Sequence, residues 1–390
     1  MLSAAAFVYV TAEIIPVGAL PVIARDMRVS EAMVGTLLAS YALVAAVATV
    51  PLVRWTADWP RRGTLIFTLV CLTVSQLISA MAPTFAVLAL GRVLCALTHG
   101  LMWSVIAPIG IRLVPPSHAA RATMAVYVGT ALALVVGSPL TAAMSQVWGW
   151  RMAVVAITVA AAVVTVAARL GLPAMAMADD PARVGVARQW HHRNRRLLTM
   201  SVLTLVGVTA HFVSYTFIVV IIRDVVGVRG PEVAWLLAAY GVAGLVAMAA
   251  LARPGDRRPK AAILLCLAGS SLAFVTLAGL GFFEPRHTAP VVFIGVTAII
   301  VWGAMATAMP PILQSAAMRH SPDDPDGASG LYVAAFQVGI MAGSLLGGLM
   351  YQHAGIPATI AASAVLMVGA LVCLVVSRGL FAVPEPTSAK

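Results

Sequence analysis

The sequence contains few charged residues. Only 10% of its 390 residues are Asp, Glu, Lys or Arg, whereas soluble globular domains carry about 25%. The hydrophobic share is 61% and the mean hydropathy is +0.97, which excludes a soluble globule of this length. The apolar stretches are continuous for about 20 residues and do not alternate in short segments. This pattern predicts membrane-spanning helices and excludes barrel strands.

Signals for metal, nucleotide and nucleic-acid binding are also scarce. The four cysteines fall inside apolar stretches and lack metal-ligand spacing, so we predict neither a disulfide framework nor a metal site. There is no phosphate-binding glycine loop and no pair of catalytic carboxylates. The net charge is +11, and the basic residues that produce it are scattered in short clusters between spans. This distribution favours a role in orienting the spans in the membrane over a role in nucleic-acid binding. His191 and His192 could bind a metal, but their basic loop favours a solvated segment.

The apolar segments predict an all-α integral membrane protein with twelve transmembrane helices. One long hydrophilic connection divides them into an N-terminal six-helix bundle at 1–172, a cytoplasmic linker at 173–196, and a C-terminal six-helix bundle with a short tail at 197–390. The predicted helices are 4–24, 32–53, 64–82, 84–113, 121–145, 151–171, 197–222, 233–252, 261–283, 289–314, 327–351 and 356–377.

The basic residues predict the orientation of these helices. Of the 25 Lys and Arg, Arg92 lies within the fourth span, six lie in loops on one side, and the other eighteen lie on the side of both termini. Because Lys and Arg are enriched in cytoplasmic loops, both termini are predicted to be cytoplasmic. The six residues on the opposite side are Arg25, Arg28, Arg151, Arg223, Arg229 and Arg286.

A shift of 198 residues superposes features of the two halves. It places residues 10–13, VTAE, on residues 208–211, VTAH, and it carries Asp58 onto Asp256. Two matches at one offset indicate an internal repeat. Since six spans per half is an even number, the halves share one orientation and are related by an axis along the membrane normal.

Glu13 is the one acidic residue that we cannot place in a loop, at a span end or in a tail. It lies near the middle of the first span, where an ionised carboxylate is costly unless it is paired or faces water. We therefore predict a role in proton coupling, in which Glu13 takes a proton from outside and releases it to the cytoplasm. The alternative is a structural glutamate that caps a neighbouring helix.

Arg92 lies at a depth comparable with that of Glu13, about 12 Å from the outer end of the fourth span at 1.5 Å per residue. We predict that the two side chains pair or couple electrostatically. His99 and Trp103 follow Arg92 by seven and eleven residues, which places all three on one helix face. We expect this face to line a cavity, although His99 could instead only bridge two helices.

Four stretches together resemble the major facilitator superfamily, and within it the twelve-span drug:proton antiporters, especially the bacterial sugar-efflux or arabinose-efflux group. Residues 10–27, VTAEIIPVGALPVIARDM, are similar to the opening T-x-E-x-x-P-x-G-L-L pattern of that group. Residues 91–104 join an intramembrane arginine to H-G-x-x-W-S. Residues 129–140, with the Gly-Trp-Arg at 149–151, are similar to the fifth-span antiporter motif. The fourth stretch comprises His211-Phe212, Trp302-Gly303 and the glycines of 339–348.

The resemblance implies a secondary active transporter of the bacterial inner membrane. We expect a monomeric, proton-coupled antiporter that exports sugars or small organic molecules by alternating access. Its energy source would be the proton gradient, and it would use no cofactor. Its partners would be a small-molecule substrate, protons and the lipid bilayer, and it would bind no nucleic acid. The alternatives are a broad-specificity drug exporter, a passive facilitator, or a membrane receptor or scaffold with the same fold.

The resemblance also implies gating or structural motifs. The chain departs from the family loop pattern because no arginine directly follows Asp58, and Gln337 stands where the efflux group has Asn. Simple close packing is the alternative for the glycines of the eleventh span. The motif residues are Asp58, Arg61, Arg62, Gly137, Pro139, Asp256, Arg257, Gly339 and Gly343.

The substrate is expected near the midplane, at the interface of the halves. Aromatic faces with a few hydrogen-bonding groups suit a sugar, and they equally suit a planar cationic drug stacked near a carboxylate. We expect about half of the aromatic candidates to be core packing. The candidate substrate-binding residues are His99, Trp103, Tyr127, His211, Tyr215, Trp302, Tyr332, Phe336 and Gln337.

Overall fold

The regular structure is helical throughout the part of the chain that the computed structural model describes. The described residues are 1–29, 31–173, 194–229, 232–283, 288–322 and 324–377. The α-helices, in chain order, are α1 (Leu2–Gly18), α2 (Leu20–Met27), α3 (Glu31–Trp55), α4 (Arg61–Ala80), α5 (Phe85–Arg112), α6 (Ala119–Leu132), α7 (Ser138–Trp148), α8 (Trp150–Gly171), α9 (Arg195–Tyr215), α10 (Ile218–Val220), α11 (Glu232–Arg257), α12 (Pro259–Phe283), α13 (Ala289–Arg319) and α14 (Pro325–Val376).

Each of the twelve predicted spans coincides with helical structure, but the first is broken. The chain leaves helical geometry at Ala19, with φ −109° and ψ 11°, which separates α1 from α2. Pro16 lies inside α1, where it removes one helical hydrogen bond. Pro21 lies in the first turn of α2, where its missing N–H is not needed.

Other predicted spans deviate from regular α-helical geometry, at π-helical segments and at one glycine. The fifth is interrupted by a π-helical segment at Ala133–Gly137, and the seventh ends in another at Ile221–Val226. The eleventh and twelfth are continuous as α14 except at Gly355, whose φ of 78° and ψ of −179° are not helical. Only glycine adopts this backbone conformation readily, so Gly355 marks the turn between the two spans.

Nine helices among the described residues are long and apolar enough to cross a membrane, and Leu2–Pro16 and Ser40–Trp55 are shorter apolar segments. Exposed apolar side chains such as Leu170, Trp235 and Phe293 fit contact with lipid tails. The prediction of an all-α membrane protein is confirmed.

The chain divides into two compact units. The first comprises Met1–Pro116 and Ala122–Arg188, and the second comprises Ser117–Arg121 and Gln189–Lys390. In the first unit α5 packs against α3 and α4, and α4 also packs against α8. In the second, α9 packs along α14, and α13 packs against α11 and α12. The predicted linker lies largely outside the described residues, as do His191 and His192, so the predicted domain boundaries stay predictions.

Candidate functional site

In the first unit, Glu13 contacts His99 through its side chain and Arg92 through its main chain. Glu13 Oε2 lies 3.8 Å from His99 Nδ1, and the two side chains are 18% and 5% exposed. The buried Arg92 guanidinium donates from Nη1 to the carbonyl of Ala12 and from Nη2 to the carbonyl of Glu13, at 2.6 Å each. The predicted meeting of Arg92 with residue 13 is therefore made at the backbone, while the carboxylate lies beside an imidazole.

Tyr41, on α3, joins this group, and the sequence analysis missed it. Its hydroxyl is 2.8 Å from His99 Nδ1 and 3.4 Å from Cys95 Sγ. Its ring centroid is 4.8 Å from the Arg92 guanidinium carbon, a cation–π contact. One imidazole nitrogen thus has both a phenol and a carboxyl group as neighbours. The phenol is within hydrogen-bond distance of this nitrogen, and the carboxyl oxygen, at 3.8 Å, is just beyond it.

Two further rings continue from His99 along the first unit. The centroids of His99 and Trp103 are 6.4 Å apart, and those of Trp103 and Tyr127 are 5.1 Å apart. Trp103 is 7% exposed. His99 and Trp103 on α5 and Tyr127 on α6 therefore form a continuous row of ring contacts, and Glu13 lies beside its His99 end.

The second unit has an aromatic cluster around His211 on α9. Trp302 Nε1 donates to His211 Nδ1 at 3.0 Å. The Tyr215 ring stacks on the imidazole with centroids 4.9 Å apart and an interplanar angle of 24°. Because Nδ1 accepts this hydrogen bond, a neutral His211 carries its proton on Nε2. Nε2 is then a hydrogen-bond donor.

Tyr240 and Phe274, which sequence reasoning also missed, complete the cluster. The Trp302 centroid is 5.7 Å from that of Tyr240 and 4.9 Å from that of Phe274. Tyr240 packs so closely on α13 that a Cβ at Gly303 would lie 2.6 Å from its ring. Tyr41 and Tyr240 are 199 residues apart, one more than the repeat shift, so the shift does not superpose them.

The three predicted binding residues on α14 have different surroundings. Tyr332 is buried and donates to the carbonyl of Pro310 on α13 at 3.0 Å. Its ring is 6.1 Å from that of Phe336. Gln337 is 3% exposed, and its Oε1 has no hydrogen-bond partner among the described residues. The structure thus joins His211, Tyr215 and Trp302, and ties Tyr332 to the α13 main chain.

The comparison with protein families gives a match over the whole chain. The Major Facilitator Superfamily profile matches residues 2–324 and 199–390. The chain belongs to this superfamily. It is also 65% identical over 385 residues to a chloramphenicol efflux pump of Mycobacterium tuberculosis strain H37Rv, covering 98% of this chain and 92% of that pump. The predicted resemblance to the superfamily is confirmed, whereas the resemblance to the sugar-efflux group is not. Both the family and this relative are transporters and not enzymes.

Solved structures agree with the superfamily fold. The human organic anion transporter TETRAN has a TM-score of 0.76 at 15% identity, covering 96% of this chain and 97% of that one. The Escherichia coli fucose:proton symporter FucP has a TM-score of 0.68 at 16% identity, covering 96% of each chain. At this identity the likeness shows the fold alone.

The superfamily loop motif has defined contacts in the first copy. Arg61 is 4% exposed and donates to the carbonyl of Thr56 at 3.1 Å. Arg62 donates to the carbonyl of Arg169 on α8. Asp58 is exposed and has partners of its own. These contacts connect the loop to neighbouring helix ends, and the gating role of Asp58, Arg61 and Arg62 stays a prediction.

In the second copy the motif carboxylate is the centre of a polar network within the second unit. Asp256 accepts from the Ala120 N–H and from Arg121 Nε, at 2.7 Å each. Arg319 donates to the main-chain carbonyls of Asp256 and Gly255. Arg257 does not join this network and is exposed. The predicted motif residues Asp256 and Arg257 therefore have different surroundings.

The predicted seam glycines lie where helices touch. A Cβ at Gly137 would meet the Thr11 side chain of α1, and one at Gly343 would lie 2.6 Å from the Thr209 carbonyl of α9. At Gly339, a Cβ would lie 2.8 Å from Val208. Pro139 is exposed in the first turn of α7. The glycines permit close helix packing, and a role as a moving seam stays a prediction.

Proposed function

We propose that the chain is a proton-coupled drug exporter of the bacterial cytoplasmic membrane, and that chloramphenicol or a molecule of similar chemistry is its substrate. The observation that carries this proposal is the 65% identity, over 98% of the chain, to a chloramphenicol efflux pump. The fucose symporter is only 16% identical. The predicted sugar substrate therefore gains no support, and the drug alternative is the better one.

The side chains of the second unit suit such a substrate. Chloramphenicol is an uncharged molecule with a nitrophenyl ring, an amide and two hydroxyl groups. Tyr215, which is partly exposed, offers an aromatic face for the ring. Trp302 is fully buried and packs edge-on against Tyr215. His211 Nε2 offers a donor whose tautomer is set by Trp302. In this proposal the cluster binds the ring and donates a hydrogen bond to a polar substituent.

Proton coupling is assigned to Glu13 with His99 and Tyr41 as its partners. Glu13 takes a proton when the site is open to the outside and releases it when the site is open to the cytoplasm, while drug moves the other way. The proposal is supported by the position of His99 Nδ1, which is 2.8 Å from the Tyr41 hydroxyl and 3.8 Å from Glu13 Oε2. A side-chain movement of less than about 1 Å would bring the carboxyl group into hydrogen-bond distance. Arg92 keeps α1 in place at residues 12 and 13.

The proposal is tested by transport in proteoliposomes. Purified protein is reconstituted, a pH gradient is imposed, and flux of radiolabelled chloramphenicol is compared with that of arabinose. We expect gradient-dependent flux of chloramphenicol and none of arabinose. Flux that ignores the gradient would favour a passive facilitator. Binding without any flux would favour a receptor or scaffold.

A further inference from the structure

A basic pocket lies at the corner between α11 and α12 in the second unit. It encloses about 440 Å³, and its lining combines guanidinium groups with aliphatic side chains. The lining residues are Leu251, Arg253, Pro254, Arg257, Arg258, Ala261, Ala262 and Leu265. It does not include any residue of the His211 cluster. Arg257 also belongs to the predicted loop motif, and the other lining residues have no role in the proposed transport.

The three arginines of this pocket are exposed and are not neutralised by a neighbouring acid. Among the described residues, none of Arg253, Arg257 and Arg258 has an ion-pair partner within 4.0 Å. The nearest acid in sequence, Asp256, is 4% exposed and directs its carboxylate to Arg121 and to the Ala120 N–H. Three positive charges within six residues therefore remain available to an anion.

The apolar wall of the pocket continues onto the outer face of α12. Leu265 belongs to the pocket and is 52% exposed, and Leu272 and Val275 are 66% and 52% exposed. Intervals of seven and three residues place these side chains along one face of the helix. In a membrane-spanning helix, an exposed apolar face of this kind contacts lipid tails.

We infer that this pocket holds the headgroup of an anionic phospholipid, with the acyl chains along the exposed face of α12. Guanidinium groups pair with phosphate oxygens, and basic pockets at the ends of membrane helices bind anionic headgroups. The pocket is continuous with the exposed apolar face of α12, which favours a lipid over a soluble phosphate. A soluble phosphate has no apolar group that could contact Leu265. The predicted orientation puts the pocket on the cytoplasmic side.

The experiment measures lipid binding by the purified full-length chain. Native mass spectrometry titrates phosphatidylglycerol and phosphatidylcholine against wild type and the double variant Arg253→Gln/Arg258→Gln. The matched control is Arg169→Gln/Arg195→Gln, which removes two exposed charges on the same predicted side. Phosphatidylglycerol affinity should fall roughly 10- to 30-fold in the pocket variant. It should stay near wild type in the control, and phosphatidylcholine binding should be unchanged in both.

Two further arms separate a lipid from a free phosphate. Glycerol phosphate, which has the headgroup and no acyl chain, should not compete with phosphatidylglycerol at equal concentration. Leu265→Asn keeps every charge and should also weaken phosphatidylglycerol binding. An equal loss in the pocket and control variants, equal binding of both lipids, full competition by glycerol phosphate, or no effect of Leu265→Asn would each overturn the assignment. Thermal unfolding of each variant verifies that it is folded.

Discussion

Pro16 has no N–H, so the carbonyl of Ala12, four residues earlier, lacks its usual helical donor. The Arg92 guanidinium supplies one at 2.6 Å and adds a second bond to the carbonyl of Glu13. From the depth of Arg92, the sequence analysis predicted that its side chain pairs or couples electrostatically with that of Glu13. The main-chain bonds were not predicted, because they depend on the carbonyl that the proline frees.

Tyr41 is predicted to be needed for coupling rather than for folding. Tyr41→Phe removes the hydroxyl beside His99 Nδ1 and leaves the ring. One hydrogen bond is worth about 1 kcal/mol, so gradient-driven chloramphenicol flux should fall about fivefold while drug binding is kept. Flux at saturating drug and drug affinity measure the two effects.

The matched control for Tyr41 is Tyr9→Phe. Tyr9 is also a buried tyrosine, but its hydroxyl bonds to the Thr68 carbonyl and the Thr98 hydroxyl. The Tyr9→Phe variant should be less stable than wild type and should keep the coupling of drug export to the proton gradient. Equal losses of flux in the two variants would show that the Tyr41 hydroxyl has only a structural role.

Trp302 is predicted to set drug affinity by fixing the His211 tautomer. Trp302→Phe keeps an aromatic ring and removes the N–H that His211 Nδ1 accepts. Since His211 can then rotate or change tautomer, chloramphenicol affinity should fall about 5- to 10-fold. Isothermal titration of the purified variant measures it.

Trp150→Phe is the control for Trp302. It also loses an indole hydrogen bond of 3.0 Å, to Asp26, but outside the aromatic cluster. Its drug affinity should match that of wild type. If both tryptophan variants bind drug equally well, His211 is not the donor to the substrate.

At the scale of elements, α14 lies along α9 because its glycines let the two backbones approach. Gly343→Ala would place a Cβ 2.6 Å from the Thr209 carbonyl and 2.8 Å from Phe212 Cβ. Overpacking of this kind costs about 1–3 kcal/mol, so the melting temperature should fall.

Gly348→Ala is the control on the same helix, because a Cβ there meets nothing within 4 Å. It should be neutral or stabilising by up to about 1 kcal/mol, since alanine is the better helix former. Thermal unfolding measures both variants. Equal stability of the two would show that α14 and α9 can separate without loss.

A clamp joins the end of α2 to the start of α8. Asp26 accepts from Trp150 Nε1 at 3.0 Å and pairs with Arg151, which also donates to the Ala82 carbonyl. The Trp150 hydrogen bond, followed by the Arg151 bond, lowers the pKa of Asp26 below its usual value. The clamp is thus formed with ionised Asp26.

The clamp makes a prediction about pH. A carboxylate whose pKa is lowered in the folded state contributes stability above its unfolded pKa, about 3.9, and loses it as pH falls through the folded value. Asp26 is partly exposed, so the contribution is discounted for solvent screening. Asp26→Asn should melt about 1–3 °C lower than wild type at pH 7. The difference in melting temperature between Asp26→Asn and wild type should shrink below about pH 4 and should not increase there.

The elements themselves could largely be predicted from hydropathy, since every predicted span is helical. Their interruptions could not be predicted as well. The break at Ala19 lies just before Pro21, which cannot continue a helix from the preceding turn, and the sequence shows this proline. The π-helical segments at Ala133–Gly137 and Ile221–Val226 depend on tertiary packing. Local periodicity carries no signal for such packing.

For the whole molecule, the superfamily could be predicted because its motifs are spread over both halves, and the match over residues 2–324 and 199–390 confirms it. The candidate site could be predicted only in part. Glu13, Arg92 and His211 stand out by depth and repeat position. Tyr41 and Tyr240 do not, since their roles depend on which helix faces which.

The central claim is that Glu13 couples drug export to proton movement. Glu13→Gln keeps the size of the side chain and its place beside His99 while removing the titratable group. The control is Glu232→Gln, an exposed acid in the first turn of α11. In proteoliposomes, Glu13→Gln should reduce gradient-driven chloramphenicol flux to the level measured without a gradient, and Glu232→Gln should match wild type. Gradient-driven flux that is unchanged in Glu13→Gln would contradict the account.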